Sequence, residues 1–219
     1  MAKTVSILIP THNRCRILSK TLESLRSVRA PDLCTMEVVV VANGCVDDTA
    51  TVCRQMLPTL GASAKVVQEP KLGLNVARNR GVYESRGEVC AFLDDDVQVE
   101  AGWLVGLLRA YREYDADIVG GKVDLWWEEI SRPGWVNRSM EGLLSRNDQG
   151  SEVKELDGPF GVIGANFSFR REVFEKVGEF RPDLDRKGSE LRAAGESEFI
   201  QRAVSAGFRS FYAPDAMVR

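Results

Sequence analysis

Three consecutive aspartates, Asp94–Asp96, are the residues of this chain whose type and spacing most clearly suggest chemistry. They follow Glu88–Leu93, which alternates and then becomes apolar as a buried strand does. Adjacent carboxylates repel one another and lose hydration near a sheet edge, so a divalent cation, basic neighbours or full exposure must offset that cost. Oxygen ligands suit Mg²⁺ or Mn²⁺. The triplet therefore predicts a metal site, with a solvated acidic turn as the alternative.

The segments before the triplet alternate between strand and helix patterns. Apolar runs over 5–9, 36–42 and 65–67 predict strands, a helix is predicted after each of them, and Pro10 is expected to end the first strand. This alternation favours a parallel, right-handed βαβ sheet. Ligands bind such sheets beyond the carboxyl ends of the strands. We therefore expect the loops at Thr11–Arg14, Asn43 and Asp94–Asp96 to converge on one edge.

The second half of the chain is less regular. Its patterns predict helices near 103–111, 171–177 and 196–206, and strands over 118–125, 160–169 and 211–213. Residues 126–157 show little periodicity beyond a short helix near 140–144, yet Trp126, Trp127 and Trp135 argue against disorder. The whole chain, 1–219, is predicted to be one α/β domain.

Composition excludes several classes of protein. The net charge is −3 with both signs interspersed, so no basic field is present to bind nucleic acid. The five cysteines form no CxxC pair and there is one histidine, which favours free thiols in the cytoplasm over a zinc site. No run of about 18 apolar residues predicts a membrane span. The final residues read as an interior strand, which predicts a chain truncated at its C-terminus.

Six segments in this order give the chain a family resemblance. They are SILIPTHNR, VVVVANGCVDDT, GLNVARNRGV, FLDDDV, GANFSFRREVFEKVGEF and GESEFIQRAVSAGFRSFYAPDAMV. With them the chain resembles an inverting family 2 glycosyltransferase of the nucleotide-sugar-binding GT-A fold, with a mostly parallel sheet flanked by helices and an acceptor-side lobe. The resemblance implies a nucleotide-sugar-binding half at 1–125 and an acceptor-binding half at 126–219.

The resemblance assigns the aspartates to the donor diphosphate. Asp94 and Asp96 form the DxD pattern that holds Mg²⁺ or Mn²⁺, and Asp95 is expected to reach the sugar or ribose instead. A cation that neutralises the diphosphate makes the nucleotide a better leaving group. Pro10, Thr11 and Asn13 are implied to border the nucleoside.

Two further positions are implied to bind the donor. Asn43 stands where many relatives have an aspartate contacting the base, and an amide that also donates hydrogen bonds could change the base preference. Arg78 matches an arginine near the base or phosphates. The alternatives are a turn residue before Gly44 for Asn43 and a solvated helical arginine for Arg78.

The resemblance places the catalytic base in 195–198. The family usually has an aspartate where this chain has Glu196, and Glu198 is the alternative base that would take the acceptor's proton. Both glutamates could instead be helix-start acids that favour the helix dipole. Trp126, Trp127 and Trp135 are expected to form either an acceptor platform or hydrophobic closure of the lobe.

The resulting hypothesis is metal-dependent sugar transfer with inversion to a carbohydrate or lipid-linked acceptor, in polysaccharide or cell-surface glycan synthesis. Peripheral association with the inner face of the membrane is compatible with it. The rivals are a sugar nucleotidyltransferase, whose basic glycine-rich loop is missing from SILIPTHNR, a phosphoacceptor signalling domain, and a glycan- or nucleotide-sugar-binding protein with a degenerate site.

Overall fold

The computed structural model describes residues 4–127, 131–185 and 195–219. Within them, eight strands form one sheet in the order β3-β2-β1-β4-β7-β5-β8-β6. The strands are β1 (Thr4–Thr11), β2 (Thr35–Asn43), β3 (Ser63–Glu69), β4 (Val89–Leu93), β5 (Ile118–Val123), β6 (Lys154–Glu155), β7 (Asn166–Arg170) and β8 (Ser210–Val218). The helices are α1 (Cys15–Leu25), α2 (Thr49–Met56), α3 (Leu74–Glu84), α4 (Trp103–Glu113), α5 (Arg138–Leu143), α6 (Arg171–Val177) and α7 (Gly195–Ser205).

The first four strands form a parallel sheet. β1 pairs in parallel with β2 and β4, and β2 pairs in parallel with β3. Residues 38–41 of β2 are fully buried, and their side chains alternate between two separate hydrophobic cores. A strand covered on both faces needs an apolar residue at every position, which explains the continuous run of valines. The predicted parallel βαβ arrangement is confirmed.

Helices cover both faces of the sheet. Buried side chains of α1, α2 and α4 lie in one core, whereas those of α3, α6 and α7 lie in the other. The predicted α/β class with flanking helices is therefore confirmed. Among the described residues, no helix combines the length and apolar character that crossing a bilayer requires.

Antiparallel pairing begins beside β4. β7 lies antiparallel between β4 and β5, and β5 in turn pairs in parallel with β8. The predicted strand over 160–169 is wrong in its first half, since β7 starts at Asn166. Gly161 has a φ of 94°, which is outside the range of a strand, and the segment before β7 turns towards the edge of the sheet. The short strand β6 was not predicted.

Prolines interrupt two strands less than the sequence suggested. β1 continues through Pro10 to Thr11. Pairing to β4 stops at Leu8, so Pro10 has a neighbouring strand only on the β2 side. The backbone N–H that proline lacks is not needed on the open side. β8 likewise continues through Pro214, at a register shift opposite Gly121 and Lys122 that leaves the proline outside the ladder.

An ionic cluster orders the segment that follows β5. The Arg146 guanidinium lies 3.2 Å from Asp124, 3.7 Å from Glu141 and 2.9 Å from Asp148. Lys122 lies 3.4 Å from Asp148. The predicted short helix is present as α5, whose bounds lie two residues earlier at its start. These contacts hold the segment against the same sheet that carries β1 and β4.

Candidate active site

A cleft of about 560 Å³ opens at the carboxyl ends of β1, β2 and β4. Its lining residues are Pro10, Thr11, His12, Arg14, Asn43, Leu74, Asn75, Ala77, Arg78, Asp94, Asp95, Asp96, Ser145, Ile163, Gly164, Ala165, Leu184, Asp185, Gly195 and Glu196. The three loops predicted to converge on one edge therefore do so. The start of α7 and the segment before β7 close the cleft from the other half of the sheet.

Asp94 follows directly on β4, and its backbone N–H donates to the carbonyl of Ala165 at 3.3 Å. No described residue donates a hydrogen bond to its carboxylate. Burial, together with the charges of Asp96, Asp95 and Glu196, raises the pKa of Asp94 to about 6, and the charge of Arg78 opposes this shift. Burial and nearby negative charge thus destabilise the ionised carboxylate, and a cation would stabilise it.

Asp95 is turned into the protein. It is 6% exposed, its Oδ2 accepts from Thr11 Oγ1 at 2.6 Å, and its Oδ1 accepts from Arg14 at 2.9 Å. Burial raises the pKa of Asp95, although Thr11 and Arg14 oppose that shift. Thr21 Oγ1 also donates to its carbonyl at 2.8 Å. Both carboxylate oxygens already accept hydrogen bonds, so Asp95 anchors the turn, and this geometry does not favour its predicted contact with sugar or ribose.

Asp96 lies on the solvent side of the turn, with its side chain 50% exposed. Arg14 Nη1 lies 2.9 Å from both Asp96 Oδ2 and Asp95 Oδ1, so one guanidinium nitrogen bridges the two carboxylates. No role for Arg14 was predicted from the sequence. One pattern could have indicated it: Arg14 is a basic residue in the loop after β1, and three acids follow the neighbouring strand β4.

Two carboxylates, Asp94 and Asp96, are the oxygen donors that a cation could use. Over the described ranges, no group of three or more His, Cys, Asp or Glu side chains is arranged to hold a metal ion. Magnesium is commonly bound by one or two carboxylates together with substrate phosphates. Asp94, whose carboxylate accepts no hydrogen bond from the described residues, and the exposed Asp96 fit that mode of binding.

The residues implied to border the nucleoside separate into two groups. Pro10 and Thr11 line the cleft, whereas Asn13 lies beside it with a φ of 53°. Asn13 Oδ1 accepts from the backbone N–H of Val46 at 2.8 Å and of Asp47 at 3.3 Å. Asn13 therefore ties the loop after β1 to the loop after β2.

Asn43 lies at the cleft, but its side-chain amide is hydrogen-bonded to a loop of the protein. Nδ2 donates to the carbonyls of Glu69 and Lys71 at 3.1 and 2.7 Å, and Oδ1 accepts from Gly73 N at 2.9 Å. An aspartate could not make the first two bonds because it has no N–H. His12 Nδ1 lies 2.6 Å from the Asn43 carbonyl, so this nitrogen donates the hydrogen bond. Asn43 thus holds the loop 69–73, which leads into α3.

The glutamates at the start of α7 face opposite ways. Glu196 lines the cleft, and its Oε2 accepts from Arg78 Nη1 at 3.0 Å. Glu198 is absent from the lining and pairs with Arg202 at 2.8 Å, one turn along α7. Of the two candidate bases, Glu196 is the one that the fold brings to the aspartates.

Aromatic packing fixes α7 relative to β4 and β7. Phe92, Phe167 and Phe169 contact Phe180 in the second core, and Phe180 stacks on Phe199 of α7 at 4.3 Å between ring centroids. These buried rings place Glu196 beside Arg78.

A family model described as glycosyl transferase family 2 matches residues 6–178. Two curated relatives from Haloferax volcanii match almost the whole chain. Glycosyltransferase AglE is 26% identical over 218 residues, which is 97% of this chain and 65% of that protein. Glucosyl-dolichyl phosphate glucuronosyltransferase is 28% identical over 219 residues, which is 98% of this chain and 68% of that protein. The chain spans about two thirds of the length of these relatives.

A solved structure shares the fold. The mannosyltransferase PcManGT from Pyrobaculum calidifontis, in complex with GDP-Man and Mn²⁺, superposes with a TM-score of 0.70 at 22% identity. The match covers 98% of this chain and 55% of that one, and it confirms the GT-A fold. Because the family model extends from β1 through α6, well over half of the sequence, the chain belongs to glycosyl transferase family 2.

Proposed function

We propose that this protein transfers a sugar from a nucleotide-diphospho-sugar to a carbohydrate or lipid-linked acceptor, with a divalent cation and with inversion at the anomeric carbon. One observation carries the proposal: Glu196 lines the same cleft as Asp94–Asp96, although the two lie about a hundred positions apart in sequence. A base and a cation site in one cleft are the two parts that a metal-dependent inverting transfer requires.

Asp94 and Asp96 would hold the cation, either Mg²⁺ or Mn²⁺. The bound cation supplies charge neutralisation of the donor diphosphate, which makes the nucleotide a better leaving group. Asp95 keeps the turn in place through Thr11 and Arg14. The presence of Mn²⁺ in the complex of the Pyrobaculum mannosyltransferase supports this assignment.

The nucleoside would lie against the ends of β1 and β2. Pro10, Thr11 and His12 line the cleft at the end of β1, and Asn43 lines it at the end of β2. Since the Asn43 amide is bonded within the protein, other groups would read the base. Asn13 supports this site by holding the loop after β2.

Glu196 would act as the catalytic base. Oε2 is held by Arg78, and no described residue donates a hydrogen bond to Oε1. Oε1 takes the proton of the acceptor hydroxyl while the hydroxyl oxygen attacks the anomeric carbon. The bond from that carbon to the diphosphate breaks, and the leaving nucleotide keeps the electron pair. Attack from the face opposite the leaving group inverts the configuration.

The acceptor would enter from the side of Trp126 and Trp135. Trp126 and Trp135 are 47% and 74% exposed, and aromatic faces of this kind stack on sugar rings. A lipid-linked acceptor is supported by the Haloferax relative that is named for glucosyl-dolichyl phosphate. The five free cysteines fit the reducing cytoplasm, so we place the reaction at the inner face of the membrane, in polysaccharide or surface-glycan synthesis.

Thermal unfolding with UDP, GDP and their sugar conjugates, with and without Mn²⁺, tests the donor site. A ligand that binds the native state raises the melting temperature, so we expect a Mn²⁺-dependent rise that is larger for one of the two bases. Equal melting temperatures with and without Mn²⁺ would contradict the proposed cation site.

Transfer is then measured as release of the nucleotide diphosphate on addition of a glycosyl dolichyl phosphate or an oligosaccharide. The anomeric configuration of the product is read by NMR, and we expect inversion. Retention would exclude Glu196 as a base that acts in a single displacement. Binding of the donor without turnover would identify a non-catalytic nucleotide-sugar-binding protein.

A further inference from the structure

Arg78 is a charged side chain in the interior of the protein. It lies on α3 with 2% of its surface exposed. A buried guanidinium is stable only when partners compensate for its lost hydration, and breaking such a pair leaves an uncompensated charge. The identity of those partners therefore shows what Arg78 is built to hold.

The partners enclose the guanidinium. Nη1 donates to Asn75 Oδ1 at 3.1 Å and to Glu196 Oε2 at 3.0 Å. The guanidinium carbon lies 5.6 Å from the ring centroids of both Phe167 and Phe180. A Cβ on Gly164 would lie 2.7 Å from Nη2, so the Gly164 backbone lies close beside the guanidinium. Arg78 therefore has little freedom to turn towards a ligand.

Asn75 is itself held in place. Its backbone N–H donates to Asp185 Oδ1 and its Nδ2 donates to the carbonyl of Arg181, both at 2.8 Å. Gly195 packs directly on the amide, since a Cβ there would lie 2.2 Å from Nδ2. The Asn75 amide thus fixes both the rotamer of Arg78 and the start of α7.

We propose that Arg78 is a positioning residue for Glu196 and does not bind the donor phosphates. Its buried guanidinium ties down Oε2 and so presents Oε1 to the acceptor hydroxyl. This inference rests on the proposed role of Glu196 as the base. It departs from the expectation that Arg78 contacts the base or phosphates, because Nη1 already serves two partners inside the protein.

The test combines Arg78→Ala and Arg78→Lys with Arg80→Ala as the matched control. Arg80 lies on the same helix and pairs with Glu84 outside the cleft. Binding of UDP and GDP with Mn²⁺ is measured by calorimetry, and turnover with UDP-glucose and GDP-mannose. We expect kcat of both Arg78 variants to fall about 100-fold, as for loss of a well-placed base, while nucleotide Kd changes less than about twofold.

Two further readouts separate positioning from a general role in folding. Guanidinium ion added to Arg78→Ala should restore part of kcat, and it should not affect Arg80→Ala. The double variant Arg78→Ala with Glu196→Gln should be no slower than Glu196→Gln alone, because residues that act as one unit are not additive. If Arg78→Ala does not fold, Arg78→Lys carries the kcat and Kd comparison, since lysine keeps the charge but lacks the planar guanidinium that lies over the Phe167 and Phe180 rings.

Weakening of nucleotide binding by tenfold or more in either Arg78 variant would overturn the inference in favour of phosphate binding. A further loss of rate in the double variant would overturn it as well. Full activity of Glu196→Gln would instead remove the proposed base, and the positioning role with it. Loss of activity in Glu196→Gln together with normal kcat in both Arg78 variants would overturn the positioning role alone.

Discussion

The turn at Asp94–Asp96 and the start of α7 at Gly195–Glu198 are both acidic. They differ in which of their carboxylates pair with an arginine. In the turn, Arg14 holds Asp95 and Asp96 and leaves Asp94 without a donor. At the helix start, Arg78 holds Glu196 inside the cleft and Arg202 holds Glu198 outside it. Neighbouring acids of one type thus differ in environment because an arginine binds some of them and not others. The turn leaves the destabilised Asp94 carboxylate available to a metal ion, whereas the start of α7 orients the Glu196 carboxylate.

Asp94→Asn should break the comparison most strongly. The amide removes the anion that a cation would stabilise, so we expect transfer to fall by about 1000-fold or more, a loss in line with several kcal/mol of charge stabilisation. The Mn²⁺-dependent rise in melting temperature with nucleotide should also disappear. Near-normal turnover with this variant would remove Asp94 from the cation site.

Glu196→Gln and Glu198→Gln form a matched pair on one helix. We expect kcat to fall about 10² to 10⁴-fold for Glu196→Gln, the usual contribution of a general base. Glu198→Gln should change it less than about threefold, since its carboxylate pairs with Arg202 away from the cleft. Steady-state rates at saturating donor make the measurement, and the reverse order of effects would make Glu198 the base.

Thr11→Val sharpens the difference between Asp95 and Asp94. Valine removes the hydrogen bond to Asp95 Oδ2 in a buried place, so the free energy of unfolding should drop by about 1–3 kcal/mol. Urea unfolding monitored by tryptophan fluorescence gives this value. Thr59→Val is the control, because the Thr59 hydroxyl bonds a carbonyl at the exposed surface. Equal losses in the two variants would show that Asp95 is no special anchor.

The pH dependence of the metal-free protein tests the environment of Asp94 without a ligand. Burial raises the pKa of Asp94 from 3.8 to about 6, so its contribution to stability is complete below about pH 4 and is lost as the pH rises through about 6. Other carboxyls, such as Asp148, have lowered pKa values and oppose this trend. The difference between the wild type and Asp94→Asn isolates the Asp94 contribution, which we expect to reach about 1–3 kcal/mol.

Mn²⁺ should reverse that loss above pH 6. Below it, the cation must displace a proton from Asp94, so its apparent affinity should fall by up to about tenfold per pH unit. Mn²⁺ titrations between pH 5 and 7 measure this slope. A pH-independent affinity over that range would show that Asp94 is not a ligand.

Local patterns in the sequence predicted most of the fold. The valines of β2 and the apolar positions of α1 and α4 repeat at spacings set by the helix or strand itself, so these elements are encoded by near neighbours. The prediction of a strand over the first half of 160–169 was wrong, because Ile163 and Ala165 lie in a loop that lines the cleft. Apolar character alone does not separate a strand from a buried loop. Pro10 was overestimated as a break because its effect depends on the neighbouring strand.

The candidate site was predicted in its location and only partly in its members. Asp94, Asp96, Thr11 and Glu196 line the cleft as expected from the resemblance. Arg14 and Asn75 received no role, although both contact predicted site residues. Asn13 and Glu198 carry the expected residue types but face away, and no pattern of residue types records which way a side chain turns.

By itself the sequence determined the α/β class, the parallel order of the first strands and membership of the family. The tertiary structure alone decided which carboxylate is free, that the Asn43 amide is bonded to the 69–73 loop, and that Arg78 is a buried partner of Glu196. These contacts join residues far apart along the chain, such as Arg78 and Glu196, which are 118 positions apart. Periodicity reports only the neighbours that share one helix or strand, so contacts of that range depend on how the helices and strands pack against one another.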